Sequence, residues 1–226
     1  MTGPRASGGR AVPHRDAARH PPVLQPVLEV APLGDFTLWP VTDVEGWLVL
    51  SGALSAPEVG TAVARIAAYN HLDERTTWPG GTDPLTAVRP VVAAGPEPGA
   101  LLVPGGLRLS DPGTGARVEP GCCNGVEDWR EWYGLRAGAL LDLGHDPTPW
   151  AEPRPDGTLR VWADEEGSSW VDTDLDELTG LLDGVRADLA GFLRALRSWA
   201  DDVVPAAATD LVASLDRHLQ VTGPVA

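Results

Sequence analysis

The chain has 226 residues, a hydrophobic content of 43% and a formal net charge of −15 at pH 7. Its seventeen basic residues are all arginine, against thirty-two acidic residues, which argues against a nucleic-acid-binding protein because phosphate contacts require clustered cations. No apolar run approaches the roughly 20 residues that a membrane-spanning helix needs.

The N-terminus and the cysteines predict the compartment. The N-terminal stretch contains arginines but no apolar segment after them, so no signal peptide is expected. Two adjacent cysteines do not make a disulfide framework, and a bond between neighbours would be strained. The sequence therefore predicts a cytoplasmic protein that does not associate with a membrane.

Composition divides the chain into three parts. Residues 1–22 carry four arginines and one acid among Gly, Ala and Pro, with no apolar period, which predicts a disordered basic arm. Residues 23–204 are expected to form a single α+β domain. Residues 205–226 are expected to form a C-terminal helix and tail, because Pro205 ends the preceding helical pattern.

The first half of the domain alternates short apolar runs with turns. Residues 36–39 and 47–50 predict the two strands of a hairpin. Ser55 and Glu58 have the spacing of a capping box, which predicts a helix running to about Asn70. The stretch from Thr86 to Ala93 suits an edge strand because Pro90 interrupts it. Further short strands are expected at 101–103, 107–109 and 117–118.

A compact helix is predicted at the centre of the chain, within 120–133, the stretch that holds both cysteines. Asn124 is the expected N-cap, with Glu127 as the capping-box carboxylate and Gly134 as the stop. Val126, Trp129 and Tyr133 are expected to be buried. The charged residues between them are expected to face solvent: Glu127, Asp128, Arg130 and Glu131.

In the second half, a strand is expected at 139–143, a hairpin turns at 155–157, and a short strand follows at 169–171. Thr173 is the expected cap of a long helical region with an apolar stripe, which Gly180 and Gly184 would split. The residues of the stripe are Leu178, Leu182, Val185, Leu189, Phe192, Leu196 and Trp199. A last helix covers 206–219. The predicted fold class is α+β: a mixed or antiparallel sheet of short strands and hairpins, with helices packed around it and a helical C-terminal segment.

From about residue 105 to 200 the order is hairpin, loop, strand, hairpin and then a helix. The turn at Gly144, His145 and Asp146, the strand from Gly157 to Trp162 and the helix around Phe192 resemble the SUKH superfamily, the Smi/Knr-type proteins that include bacterial toxin-immunity proteins. The resemblance implies an α+β fold, no catalytic residues, and a function performed by binding another protein.

Three residues could support chemistry. Cys122 and Cys123 precede the predicted helix, and with His145 one of them could act as the nucleophile of a small thiol-dependent hydrolase. The acidic neighbours Glu127 and Asp128 would oppose a thiolate. Adjacent cysteines rarely both reach one tetrahedral metal ion, so no metal site is expected. The sequence therefore predicts no catalytic residues and no cofactor.

The function that the sequence favours is a non-enzymatic, acidic protein-binding module, either an immunity-type protein that neutralises a toxin or a regulatory interaction protein. Its expected partner is another protein, with a basic one favoured by the negative charge, although acidity also serves solubility alone. Five residues are the candidate binding residues: Trp132, Arg130, Glu131, Trp150 and Asp146. The sequence leaves the oligomeric state open.

Overall fold

The computed structural model describes residues 21–71 and 83–223. The predicted basic arm lies outside these residues except for its last two positions. Within the described ranges the chain forms four α-helices, one 3-10 helix and two antiparallel sheets, which confirms the predicted α+β class. No helix in these ranges is long and apolar enough to cross a bilayer.

The larger sheet has four strands in the order β2-β1-β3-β4, and all neighbours are antiparallel. The strands are β1 (Val23–Val30), β2 (Gly46–Val49), β3 (Gly105–Ser110) and β4 (Arg117–Val118). The predicted strand at 36–39 is wrong: β2 pairs instead with β1, a central strand for which no strand was predicted. The strands expected at 107–109 and 117–118 correspond to β3 and β4, which form a hairpin with Leu109 opposite Val118.

The smaller sheet contains β5 (Trp150–Pro153), β6 (Thr158–Trp162) and β7 (Trp170–Asp174), in that order. The predicted hairpin around Asp156 joins β5 to β6, as expected. One face of this sheet packs against the core through the buried side chains of Leu159, Val161 and Val171. Because side chains alternate along a strand, the residues between them lie on the opposite face.

Four α-helices pack against the sheets: α1 (Ala56–Tyr69), α2 (Pro84–Val92), α3 (Leu178–Val203) and α4 (Ala208–Leu219). At the predicted start of α1, the backbone N–H and the hydroxyl of Ser55 both donate to the Glu58 carboxylate. The strand expected at Thr86 to Ala93 is wrong. Asp83 accepts a hydrogen bond from the Thr86 N–H and caps a helix that tolerates Pro90 near its end.

The compact central helix is a 3-10 helix, Val126–Ala137. Its buried residues, Val126, Trp129, Trp132 and Leu135, recur every three positions, which matches the three residues per turn of a 3-10 helix. The N-cap is Gly125 rather than Asn124, and the helix continues past Gly134 to a left-handed Gly138. The expected burial of Trp129 is confirmed at 1% exposure.

The long apolar stripe of α3 is buried along its whole length, as predicted. Gly180 and Gly184 do not divide the helix. Thr173 is not its cap, because Thr173 belongs to β7 and the helix begins at Leu178. The strand expected at 139–143 is absent from the described structure, where that segment is an irregular loop with Leu140 fully exposed. The apolar side of α4 joins the same core as α3, through Leu211, Leu215 and Leu219.

Candidate functional site

Three tryptophans lie side by side on the outer face of the smaller sheet. The strand register places Trp150 opposite Trp162 and Trp162 opposite Trp170. The first pair is stacked, with ring centroids 5.6 Å apart, and the second pair is tilted at 5.2 Å. Trp150 is 39% exposed and Trp170 is 42% exposed, while Trp162 between them is half-buried. We call these three residues the tryptophan ladder.

Arg160 braces one end of the ladder. Its guanidinium carbon lies 4.4 Å from the ring centroid of Trp170 and 5.1 Å from that of Trp162. Two of its nitrogens donate to the two carboxylate oxygens of Asp172, each at 2.7 Å. The indole N–H of Trp162 donates to Glu152 at 3.3 Å. The rings are therefore held in a fixed array whose outer surface is available to solvent.

The segment that carries the ladder is rich in acidic residues. Residues 150–177 contain nine carboxylates and only two arginines, Arg154 and Arg160. Each arginine already faces a carboxylate, since Arg154 lies 3.4 Å from Glu152 and Arg160 pairs with Asp172. The segment that carries the ladder is therefore strongly acidic, and the charges of Asp172, Glu152 and Asp156 act on Arg160 beside the rings. An excess of negative charge attracts a cationic ligand.

A second group of reactive side chains lies where two loops cross. The ligating atoms of Cys122, Cys123 and His145 lie within 4.8 Å of one another, and all three residues are exposed. The two sulfur atoms are 3.3 Å apart. The sequence leaves the distance between the cysteines and His145 open, and both cysteines are free thiols in the structure. We call these three residues the Cys–Cys–His cluster.

Backbone contacts hold the cluster together. The N–H of Cys122 donates to the carbonyl of His145, and the N–H of His145 donates back to the carbonyl of Cys122. The crossing is close because both loops carry glycine next to these residues. A Cβ atom on Gly144 would lie 2.5 Å from the Cys122 carbonyl oxygen, and one on Gly121 would lie 2.6 Å from the His145 nitrogen. The glycines therefore permit the approach of the two loops.

The neighbours of Cys122 disfavour its thiolate. The hydrogen bond between the thiols of Cys122 and Cys123 contributes most to raising the pKa of Cys122, followed by desolvation and by the charges of Cys123, Glu29 and Asp146. The position before the helix therefore does not activate Cys122. Asp146 also lies 3.3 Å from Nδ1 of His145.

A cleft of about 280 Å³ lies between the 3-10 helix and α4, lined in part by Glu127, Asp128 and His218. Glu127 was expected to face solvent, but burial raises its pKa to about 7. Its carboxylate accepts a hydrogen bond from the N–H of Val103 at 2.9 Å. Burial also lowers the pKa of His218. Glu127 thus links the 3-10 helix to the chain that enters β3.

The five predicted binding residues do not form one surface patch on common elements. Trp132 is 3% exposed and belongs to the core, so it is not available to a partner. Arg130 donates to the carbonyls of Gln220 and Gly223 and fastens the end of α4. Glu131 is exposed on the 3-10 helix. Asp146 adjoins the Cys–Cys–His cluster, and Trp150 lies on the ladder.

Sequence reasoning missed Trp162 and Trp170 as members of an exposed array. The predicted hairpin turn contained the signal, because positions 150 and 162 are equally distant from Asp156 and must face each other in a regular hairpin. The sequence gives no signal for the backbone pairing of Cys122 with His145, which it leaves open. Comparison of the chain with family models, with curated proteins and with solved structures found no match.

Proposed function

We propose that this protein is a non-enzymatic, acidic binding module whose tryptophan ladder binds a basic segment of a partner protein. The observation that carries the proposal is the ladder itself, three aligned indoles on the outer face of a sheet. Tryptophan and arginine are enriched at the energetic centres of protein interfaces. Trp150 is the one predicted binding residue that this surface contains.

Charge selects the kind of partner. Indole faces attract cations, and the guanidinium of arginine stacks on them. Arg160 already occupies this position against Trp162 and Trp170, which illustrates the contact that an incoming arginine would make beside Trp150. The nine carboxylates of 150–177 favour a basic segment over an acidic one. The resemblance to the SUKH superfamily favours a toxin as the partner, and the two free cysteines favour the cytoplasm as the location.

Binding of a defined peptide tests the proposal. The probe is a short peptide alternating arginine with small residues, and its matched control carries glutamate in place of arginine. We expect calorimetry to detect binding of the arginine peptide and no binding of the glutamate peptide. Trp150→Ala and Trp170→Ala should each weaken binding of the arginine peptide about tenfold, because a cation–π contact contributes about 1–2 kcal/mol. The control variant is Tyr69→Ala, which removes an exposed aromatic ring outside the ladder. Equal affinity for the ladder variants and the wild type would refute the proposal.

A second candidate function, a small thiol-dependent hydrolase using Cys122 or Cys123 with His145, is supported by the proximity of these three residues. A nucleophilic cysteine requires a thiolate, however, and the neighbours of Cys122 raise its pKa. The binding module is therefore the function that we favour. An activated ester tests the alternative. If the wild type hydrolyses the ester and a folded Cys122→Ser or Cys123→Ser variant does not, the hydrolase becomes the favoured function.

A further inference from the structure

The chain contains two cysteines, and both belong to the Cys–Cys–His cluster. Thiolate sulfur and imidazole nitrogen are the ligands that zinc prefers in proteins. Across residues 21–71 and 83–223, no other group of three histidine, cysteine or acidic side chains brings its ligating atoms so close together. The two cysteines are thus placed where a third suitable ligand is present.

The distances in the cluster suit a tetrahedral ion. Zinc–sulfur bonds of about 2.3 Å and zinc–nitrogen bonds of about 2.0–2.1 Å require ligand atoms roughly 3.5–3.8 Å apart. The two sulfur atoms are 3.3 Å apart, and no pair of the three ligand atoms exceeds 4.8 Å. Small rotations of exposed side chains are therefore sufficient, and the adjacency of Cys122 and Cys123 does not prevent both from reaching one ion.

The backbone prepares the site before any ion arrives. The reciprocal hydrogen bonds between Cys122 and His145 fix two of the three ligand-bearing residues. Cys123 has a left-handed backbone, with φ of 65°, which places consecutive side chains in an arrangement that an extended strand would not give. A preorganised site loses less conformational entropy on binding than a flexible loop does.

Asp146 orients the imidazole. Its carboxylate lies 3.3 Å from Nδ1 of His145, and a proton on Nδ1 leaves the lone pair on Nε2. In metal sites a carboxylate commonly accepts from the histidine nitrogen that does not bind the metal. With Nε2 as the ligand, Asp146 is the group that would hold the proton on Nδ1.

We propose that Cys122, Cys123 and His145 form a binding site for a divalent zinc ion. Three protein ligands leave the fourth tetrahedral position open to water or to a group from a partner. Binding converts the two thiols to thiolates and releases their two protons to solvent, with no change of oxidation state. This site is separate from the tryptophan ladder and does not depend on the function proposed for it.

The test uses the full chain, kept reduced with a phosphine, and Co²⁺ as a spectroscopic probe that Zn²⁺ then displaces. We expect one Co²⁺ per chain, with thiolate-to-metal charge-transfer absorption and the visible bands of tetrahedral Co²⁺. Cys122→Ser, Cys123→Ser and His145→Ala should each weaken binding more than about 100-fold, and Asp146→Asn about 10-fold, since loss of an orienting partner costs about 10–100-fold. His71→Ala is the control and should bind like the wild type.

A measurement on the unmutated protein tests the site even if the variants fail to fold. Zn²⁺ should protect both cysteines from iodoacetamide, and EDTA should restore their alkylation, as read by intact mass. Two outcomes would overturn the proposal: alkylation of both cysteines at the same rate with and without Zn²⁺, or Co²⁺ binding without charge-transfer absorption and unchanged in the cysteine variants.

Discussion

The indole N–H of Trp129 donates to the backbone carbonyl of Leu219 at 2.7 Å, across 90 residues of sequence. The donor lies in the 3-10 helix and the acceptor is the last residue of α4. The bond satisfies the polar atom of a buried indole together with one of the carbonyls that a helix leaves unpaired at its C-terminus. The 3-10 helix and the C-terminal helix are therefore fastened to each other.

Trp129 is predicted to stabilise the fold in two separable ways. Trp129→Ala should cost about 3–5 kcal/mol, because it empties a large buried site. Trp129→Phe keeps an aromatic ring but leaves the Leu219 carbonyl unpaired, which should cost about 1–3 kcal/mol. Urea denaturation measures both. The exposed Trp150→Ala is the control, and an unchanged midpoint for Trp129→Ala would contradict the core position of this residue.

Glu127 is predicted to make stability depend on pH. Burial raises its pKa to about 7 in the folded protein, above the ordinary value of 4.5. The folded state therefore binds the proton of Glu127 more tightly than the unfolded state does. The stability that this proton contributes is complete below about pH 4.5 and is lost as the pH rises through 7. Glu127→Gln keeps an acceptor for the Val103 N–H, and its stability advantage should grow by about 2 kcal/mol between pH 5 and pH 8.

The quantity to measure is the difference in unfolding free energy between Glu127→Gln and the wild type, at pH 5 and at pH 8. Asp210→Asn, an exposed change of the same charge on α4, is the control and should show no such growth. A constant difference between wild type and Glu127→Gln from pH 5 to pH 8 would mean that the carboxyl is ionised throughout this range in the folded state.

Elements with strong local signals could be predicted from sequence. The Ser55–Glu58 capping box, the hairpin turn at Asp156 and the stripe of α3 each specify structure through residues that are close in the chain. The sequence predicts the position of the 3-10 helix but not its period or its cap, because the three-residue repeat together with Tyr133 also fits an α-helical face.

Elements that depend on distant partners could not be predicted. β1 contains Pro26, which has no backbone N–H to donate and would suggest an edge strand. It is nevertheless a central strand, because β2 and β3, which come later in the chain, pair with its two sides. The Cys–Cys–His cluster depends on a loop crossing that brings residue 122 against residue 145, and no local pattern encodes that contact. The sequence does not distinguish a buried Trp132 from a surface contact residue, because the tertiary packing decides which side of a short helix is buried.

Arg160 is predicted to need its guanidinium. Lysine is a compact charge that cannot make both hydrogen bonds to Asp172 or present a flat face to Trp170. Arg160→Lys should therefore lower the unfolding free energy by about 1 kcal/mol, the upper range for a partly exposed ion pair. Arg154→Lys is the matched control: its single contact with Glu152 is 3.4 Å long, and we expect a change within about 0.5 kcal/mol. Equal losses in the two variants would contradict the bracing role of Arg160.

Gly144 is predicted to be required for the loop crossing that forms the Cys–Cys–His cluster. Its φ is 85°, and an added Cβ would lie 2.5 Å from the Cys122 carbonyl oxygen and 2.7 Å from the backbone of Gly121. These are backbone atoms, so they cannot turn aside as a flexible side chain would. Gly144→Ala should therefore cost about 3 kcal/mol or more, from the left-handed backbone and the steric overlap together.

Gly138→Ala separates these two causes, because Gly138 has φ of 79° and no atom within 4 Å of the added Cβ. It should cost only about 1–2 kcal/mol, the cost of a left-handed backbone for a residue with a side chain. Thermal unfolding compares the two variants, and hydrogen exchange of the Cys122 and His145 amides reports the crossing directly. We expect faster exchange at both amides in Gly144→Ala alone. Equal destabilisation, with both amides still protected, would show that the loops tolerate a side chain at the crossing.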